Sequence, residues 1–387
     1  MFTILLLLLI YFSFISLGLQ DSLLGSAWPS MYNSLNVPLH YAGIISMIIA
    51  GGTVISSVLG VYIIRRFGTG IVVAVSVMIT AAALIGFSFS SSFIYLCFLA
   101  VPLGLGGGSV DVALNNYASL HYKARHMSWL HCFWGAGASI GPIIMSLFLI
   151  HKNSWSLGYR TIGLIQICLV LLLFISLPLW IKNKPLDQSE KSNSIKFKKI
   201  ISVAGVKEAL LTFFIYCTIE STAGLWGASY LVEEKGISPE IAAQGIALYF
   251  FGITSGRFIS GFITIKLNNR QMVRLGQVII GFGIIVLVLP FENFALPGLF
   301  IIGLGLAPIF PCLVHETPNS FGREYSQAII GIQMGCAYIG TSIMPPIFGW
   351  IASYLSFMIF PVFIGITLIL KIAVFEVLKR KVDQFRI

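Results

Sequence analysis

The sequence predicts an all-α, polytopic membrane protein with twelve transmembrane helices, and three observations support that fold class. Hydrophobic residues make up 57% of the 387 residues and charged residues only 10%, which is more apolar content than a water-soluble core can use. Apolar segments follow one another along the whole chain, each near the roughly 20 residues that span a bilayer. Short polar loops separate them and hold most of the charge. The composition therefore excludes a soluble enzyme.

Twelve apolar segments can be placed in order from hydropathy and length. They cover residues 2–28, 39–63, 69–90, 93–118, 127–150, 158–181, 208–231, 239–264, 273–290, 294–317, 326–350 and 354–377. The first segment lacks the basic n-region and the small-residue cleavage site of a signal peptide, so we expect a retained membrane helix. The six cysteines all lie inside apolar segments and lack metal-ligand spacing, so we expect packing roles and predict no metal site.

The distribution of positive charge predicts the orientation in the membrane. Most of the 24 lysines and arginines lie in loops that would share one side with both termini. Because these residues accumulate in cytoplasmic loops, we expect a multi-pass protein of the plasma (inner) membrane with cytoplasmic N- and C-termini. The net charge of +10 does not indicate nucleic-acid binding, since the basic residues do not line one amphipathic face. The expected partners are membrane lipids and a small-molecule solute.

A polar break near the middle divides the chain into two halves. The predicted parts are an N-terminal six-helix bundle at residues 1–181, a cytoplasmic linker at 182–207, and a C-terminal six-helix bundle with a short basic tail at 208–387. Internal repeats support the division: Gly-Leu-Gly at 104–106 recurs at 303–305, and Asp21 recurs as Glu220. The offset is about 200 residues in both cases, which indicates duplicated halves related by pseudo-two-fold symmetry.

Three carboxylic acids lie inside predicted membrane helices: Asp21, Asp111 and Glu220. A charge at that depth costs about 2.5–3.5 kcal/mol on insertion scales, and it is rare unless it faces a cavity or a partner. Asp111 lies in the run GLGGGSVDVALNN at 104–116, and Asn115 shares its helical face. Because burial favours the protonated form of a carboxyl group, these acids are candidate proton carriers.

Three short motifs carry a family resemblance. The loop at residues 60–68 reads GVYIIRRFG, residues 106–115 read GGGSVDVALN, and residues 19–24 read LQDSLL. The first is similar to the glycine-acid-arginine loop of the major facilitator superfamily, although Ile64 occupies the acid position. The other two resemble helices four and one of the fucose, galactose and glucose proton symporters, the fucose permease group, in which glutamate is the commoner acid in helix four. The resemblance implies two six-helix bundles that rock about a polar cavity, and proton-coupled uptake of a neutral, sugar-like solute by alternating access.

Roles for single residues follow from the acids, their neighbours and this resemblance. The predicted proton-coupling residues are Asp21, Asp111 and Glu220. Carboxylate, amide and aromatic groups together suit sugar hydroxyls and ring faces, so the predicted substrate-binding residues are Gln20, Asp21, Asn115, Asn116, Trp134, Trp226, Tyr249 and Gln333. The predicted gating residues are Arg65, Arg257, His315 and Glu316. Trp28 is interpreted as an interfacial anchor at the outer membrane surface.

Two alternative functions stay open at this point. The stretch from Gly137 to Pro142 resembles the GxxxGP core of the antiporter signature, which would indicate proton-coupled efflux of drugs or metabolites. A sensor that binds solute without moving it is the second alternative, although the longest non-membrane stretch is the linker. The sequence does not distinguish a proton from a sodium ion as the coupling ion. We expect no enzyme activity and no cofactor, because no nucleotide-binding or nucleophile motif is present, and we expect a monomer.

Overall fold

The structure is a computed structural model that describes residues 2–122, 124–181 and 200–384. Twelve helical stretches in these ranges are long and apolar enough to cross a membrane, which confirms the predicted fold class. The helices are α1 (Phe2–Asp21), α2 (Leu23–Leu35), α3 (Tyr41–Phe67), α4 (Thr69–Ser88), α5 (Phe93–His121), α6 (Ala124–Lys152), α7 (Trp155–Ile175), α8 (Leu177–Ile181), α9 (Val206–Lys235), α10 (Pro239–Ile263), α11 (Asn269–Val288), α12 (Ala295–Leu306), α13 (Ile309–Phe321), α14 (Arg323–Tyr354) and α15 (Phe360–Gln384).

Two of the twelve stretches are interrupted helices, where hydropathy alone predicts continuous segments. Between α1 and α2, the Ser22 hydroxyl donates to the carbonyl oxygen of Gly18 at 3.2 Å, a local bond by which serine competes with the helical pattern. Between α12 and α13 lie Ala307 and Pro308, and proline cannot donate the next backbone hydrogen bond. The first interruption leaves Asp21 as the last residue of α1.

The chain forms two compact units. The first contains Met1–Gln188 and Gly236–Ala247, and the second contains Ser189–Lys235 and Leu248–Ile387. The beginning of α10 thus belongs to the first unit and the rest of that helix to the second. Of the predicted linker, residues 182–199 lie outside the described part of the chain.

Small residues let helices approach closely at matching places in each unit. In the first unit, a Cβ on Gly104 of α5 would overlap the carbonyl oxygen of Ile49 on α3. In the second unit, a Cβ on Gly303 of α12 would overlap the carbonyl oxygen of Tyr249 on α10. The pairs share the offset of about 200 residues that the repeated motifs predict, and such small-residue contacts are how membrane helices pack.

A second close approach joins α1 to α6 and determines what surrounds Asp21. A Cβ on Gly18 would overlap the carbonyl oxygen of Trp134, and a Cβ on Gly137 would overlap that of Ile15. The glycines that resemble an antiporter signature therefore pack α6 against α1. This packing places Trp134 beside the C-terminal end of α1.

The Trp28 side chain on α2 is buried inside the protein. It is fully buried, and its indole nitrogen donates to the carbonyl oxygen of Leu39 at 2.6 Å, in the connection between α2 and α3. The interpretation of Trp28 as an interfacial anchor is therefore wrong, because this indole joins α2 to the segment that precedes α3.

Candidate functional site

The carboxylate of Asp21 is held by a neighbouring tryptophan. Trp134 Nε1 on α6 donates to Asp21 Oδ2 at 2.9 Å, and Gln20 directly precedes Asp21 on α1. The Asp21 side chain itself is exposed. The helix interruption after Asp21 and the α1–α6 packing thus place an accessible acid inside a predicted membrane crossing.

Asp111 on α5 lies close to the same place. Its side chain is half-buried, and Asn115 Nδ2, one turn later, donates to Asp111 Oδ1 at 2.8 Å. Asp111 lies four residues after Gly107 on the same helix. A Cβ on Gly107 would stand only 2.7 Å from Gln20 Nε2, so the glycine run of α5 makes room for α1 at this point.

Within residues 2–122, 124–181 and 200–384, neither of these two acids forms an ion pair with a basic side chain, and the ion pairs there all involve other acids. The groups that hydrogen-bond to Asp21 and Asp111 are an indole and an amide, both neutral donors. A carboxyl group inside a membrane is rare unless it faces a cavity or a partner. This arrangement can hold a proton and can accept hydrogen bonds from a polar solute.

Glu220 on α9 has different surroundings. Arg257 Nη2 on α10 lies 3.7 Å from Glu220 Oε1, and the two side chains are 16% and 21% exposed. The Tyr249 hydroxyl donates to the Glu220 backbone oxygen at 2.8 Å. The acid that matches Asp21 in the repeat is therefore charge-paired, and the predicted gating residue Arg257 is its partner.

The other predicted substrate-binding residues have varied positions. Asn116 is exposed on α5, next in the chain to Asn115. Trp226 is fully buried and donates to the Pro345 carbonyl oxygen at 2.8 Å. Gln333 is buried and accepts from the Thr317 hydroxyl at 3.2 Å. In this structure Trp226 and Gln333 make packing contacts, and the structure brings together Gln20, Asp21 and Trp134, with Asn115 on Asp111.

The remaining predicted gating residues lie near helix ends. Arg65 is exposed in the last turn of α3, and His315 is exposed on α13. Glu316 accepts from Arg270 Nε at 3.1 Å and from Asn269 Nδ2 at 3.1 Å. Glu316 thus joins the start of α11 to α13 as part of a charged cluster.

Comparison with known proteins places this chain in a family. Its sequence matches the Major Facilitator Superfamily profile over residues 10–313 and 209–385. The chain belongs to the Major Facilitator Superfamily. The confirmed membership agrees with the resemblance seen in the motifs.

Several relatives of this superfamily member have named transport functions. It is 22% identical over 360 residues to the glucose/mannose transporter GlcP of Bacillus subtilis (strain 168), covering 88% of this chain and 86% of that protein. It is 24% identical over 366 residues to the cis,cis-muconate transport protein of Acinetobacter baylyi, with the same coverage. It is 22% identical to the hexuronate transporter of Bacillus subtilis, covering 68% and 65% of the two chains. This superfamily member is therefore a small-molecule transporter. Its similarity to a glucose/mannose transporter agrees with the resemblance of its motifs to the sugar symporter group.

A solved structure shares the fold. The bacterial homologue of the human lysosomal transporter Spinster, in an inward-facing and occupied conformation, has a TM-score of 0.75 and 12% sequence identity, with 97% of this chain and 96% of that chain covered. The similarity confirms the superfamily fold of the twelve helices.

Two polar residues near the membrane core were not predicted from the sequence. Gln166 on α7 is fully buried and makes hydrogen bonds to α1 and α4. Lys371 on α15 is fully buried, lies 5.8 Å from the centroid of the Phe375 ring, and has no hydrogen-bond partner within the described residues. The signal in each case is a single polar residue in an otherwise apolar segment, which is costly enough in a membrane to require a reason.

Proposed function

We propose that this superfamily member is a secondary active transporter that takes up a neutral, sugar-like solute together with a proton, by alternating access. The observation that carries the proposal is the pair of acids Asp21 and Asp111. Asp21 accepts from the Trp134 indole and Asp111 from the Asn115 amide, and both donors are neutral. A carboxyl group that gains and loses a proton inside the membrane can couple solute movement to the proton gradient, which supplies about 2.3 kcal/mol per 100 mV.

The chemistry around these acids suits a hydroxylated solute. The Trp134 indole offers an apolar face and a donor edge, and the Gln20 and Asn115 amides offer donors and acceptors. Sugar sites need both kinds of surface. In this account Asp21 and Asp111 accept the proton and bind solute hydroxyls, whereas the charge-paired Glu220 acts with Arg257 as a switch of the second unit.

The names of the relatives point to two classes of candidate solute, sugars and organic acids. One relative is named for glucose and mannose, and two are named for muconate and hexuronate, which are carboxylic acids. Two uncompensated acids in the site favour a neutral solute, because an anionic solute would be repelled by a site of the same charge. We therefore propose a sugar, and not an organic acid, as the transported solute.

The test is a recording of external pH in lightly buffered, de-energised proteoliposomes that contain the purified protein. Pulses of glucose, galactose, fucose, glucuronate and a cationic dye are added in turn, and protein-free liposomes serve as the control. The proposal predicts external alkalinisation with at least one neutral sugar, because protons enter with the solute. Alkalinisation with glucuronate alone would contradict the neutral solute.

The same recording separates the alternatives. External acidification with the dye and silence with every sugar would indicate the efflux antiporter. Solute binding with neither a pH change nor counterflow would indicate a sensor. Sugar uptake that needs external sodium and leaves the pH unchanged would show that sodium, and not the proton, is the coupling ion.

A further inference from the structure

The buried amide of Gln166 makes hydrogen bonds to two other helices. Thr80 Oγ1 on α4 shares its single hydrogen between Gln166 Oε1 at 3.0 Å and the Val77 carbonyl oxygen at 2.9 Å. Gln166 Nε2 on α7 donates to the Ser16 carbonyl oxygen at 3.1 Å and to Gln20 Oε1 at 3.3 Å, both on α1. Gln166, Thr80 and Ser16 are all buried. Since an unpaired amide in an apolar interior is costly, this chain of bonds is held firmly in place.

The bonds also fix which way each amide points. The Ser16 carbonyl oxygen can only accept, so the Gln166 atom that faces it must be the amide nitrogen. That nitrogen is also the group that faces Gln20, so Gln20 must present its oxygen to Gln166. The Gln20 amide nitrogen is therefore turned away from Gln166.

The free end of the chain reaches the candidate site. The Gln20 amide nitrogen lies against Gly107 of α5, where a Cβ would stand 2.7 Å from it. Gly107 is one helical turn before Asp111, and Gln20 directly precedes Asp21, so this nitrogen lies between the two helices that carry the acids. Because an amide nitrogen donates hydrogen bonds, Thr80, Gln166 and Gln20 form one directed series of donors that ends beside these acids.

We propose that Gln166 is a positioning residue that holds Gln20 as a hydrogen-bond donor beside Asp21, and thereby sets the affinity of the site for a hydroxylated solute. The solute part of this proposal rests on the proposed function, whereas the orientation of Gln20 does not. Gln166 acts through Gln20 and makes no contact with Asp21 in the described structure.

A double-mutant cycle tests the positioning role. Gln166→Met removes both amide groups, Gln20→Met removes the residue through which they act, and the double variant combines the changes. The first readout is the fluorescence of Trp134 as a function of pH, obtained as the difference between proteins with and without Trp134→Phe. This fluorescence reports on Asp21 because the Trp134 indole donates a hydrogen bond to its carboxylate. We expect Gln166→Met to move the midpoint by roughly one pH unit, and to move it no further in a Gln20→Met background.

The second readout is the KM for glucose in proteoliposomes. We expect Gln166→Met to raise KM roughly three- to ten-fold with little change in maximal rate, as the loss of one hydrogen bond near a charged group predicts. Thr80→Val, which keeps the shape of the side chain, should give a smaller shift in the same direction and serves if Gln166→Met does not fold. Gln277→Met, which removes another buried glutamine in the second unit, is the matched control and should change neither readout.

The outcomes distinguish this proposal from the proposed function. An unchanged emission midpoint in folded Gln166→Met and Thr80→Val would overturn the positioning role, even if glucose is transported. Equal shifts in the wild-type and Gln20→Met backgrounds would also overturn it, because they would show a general structural effect. A shifted midpoint that Gln20→Met abolishes, together with no glucose transport, would uphold the positioning and overturn the sugar.

Discussion

The two units pack their helices alike but treat charge inside the membrane differently. Gly104 in the first unit and Gly303 in the second bring matching helices to backbone contact. The repeat also places acids at matching positions, Asp21 and Glu220. A duplicated scaffold therefore underlies both units, and their difference lies in the side chains that surround those acids.

The surroundings differ in whether the acid is neutralised. Glu220 faces Arg257 at 3.7 Å, whereas Asp21 accepts a hydrogen bond from the neutral Trp134 indole. An ion pair in the membrane cancels a charge that would otherwise be costly. We therefore assign the proposed proton coupling to the first unit, while the second unit holds a compensated pair.

The largest expected effect separates the units by function. Asp111→Asn should lower glucose accumulation in energised vesicles to simple equilibration across the membrane, because the neutral amide cannot carry a proton. Glucose counterflow, which needs no gradient, should persist in the same variant. Accumulation by Asp111→Asn that equals the wild type would contradict the coupling role.

The second effect tests the shared scaffold. Gly104→Ala and Gly303→Ala should each lower stability by about 1–3 kcal/mol, because an added methyl group forces closely packed helices apart. The measurement is thermal unfolding in detergent. Gly51→Ala and Gly331→Ala are matched controls, since nothing lies within 4 Å of a Cβ at either position. Equal losses at all four positions would show that the two contacts are not special.

The third effect sharpens the electrostatic contrast. Arg257→Gln should destabilise the protein by about 1–3 kcal/mol, less than the full cost of breaking a deeply buried pair, because both side chains are partly exposed. Adding Glu220→Gln should restore most of the loss, since no uncompensated charge remains. Thermal unfolding of the two single variants and the double variant measures this, and additive losses would contradict the pairing.

The smallest effect concerns two tryptophans with different partners. Trp134→Phe removes the donor to Asp21 and should raise the KM for glucose roughly three- to ten-fold. Trp226→Phe removes the donor to the Pro345 carbonyl and should lower thermal stability while leaving KM unchanged. A change of KM with Trp226→Phe instead would assign the solute contact to the second unit.

Hydropathy was sufficient to predict the helices but not their interruptions. Each segment is an apolar run about as long as the bilayer is thick, so twelve crossings follow from the order of apolar and polar segments along the chain. The break after Asp21 lies at Ser22, whose hydroxyl donates to the Gly18 carbonyl oxygen, and an apolar pattern does not mark this position. The repeat at Gly104 and Gly303 was visible because backbone contact admits only the smallest residue.

The sequence locates the three intramembrane acids but not their surroundings. Asp21, Asp111 and Glu220 stand out because an acid in an apolar membrane segment is rare. The contact of Trp134 with Asp21 depends on α1–α6 packing between residues distant in sequence, which no local pattern encodes. Gln166 was missed for the same reason: its partners lie on α1 and α4.

We propose that the acids of the first unit carry the proton. The most direct test compares the proton entry that accompanies glucose entry in proteoliposomes containing Glu220→Gln and in those containing Asp111→Asn, with expression and folding matched. We expect glucose to bring protons in with Glu220→Gln and to bring none in with Asp111→Asn. Proton entry that survives in Asp111→Asn and disappears in Glu220→Gln would contradict it and assign the coupling to the second unit.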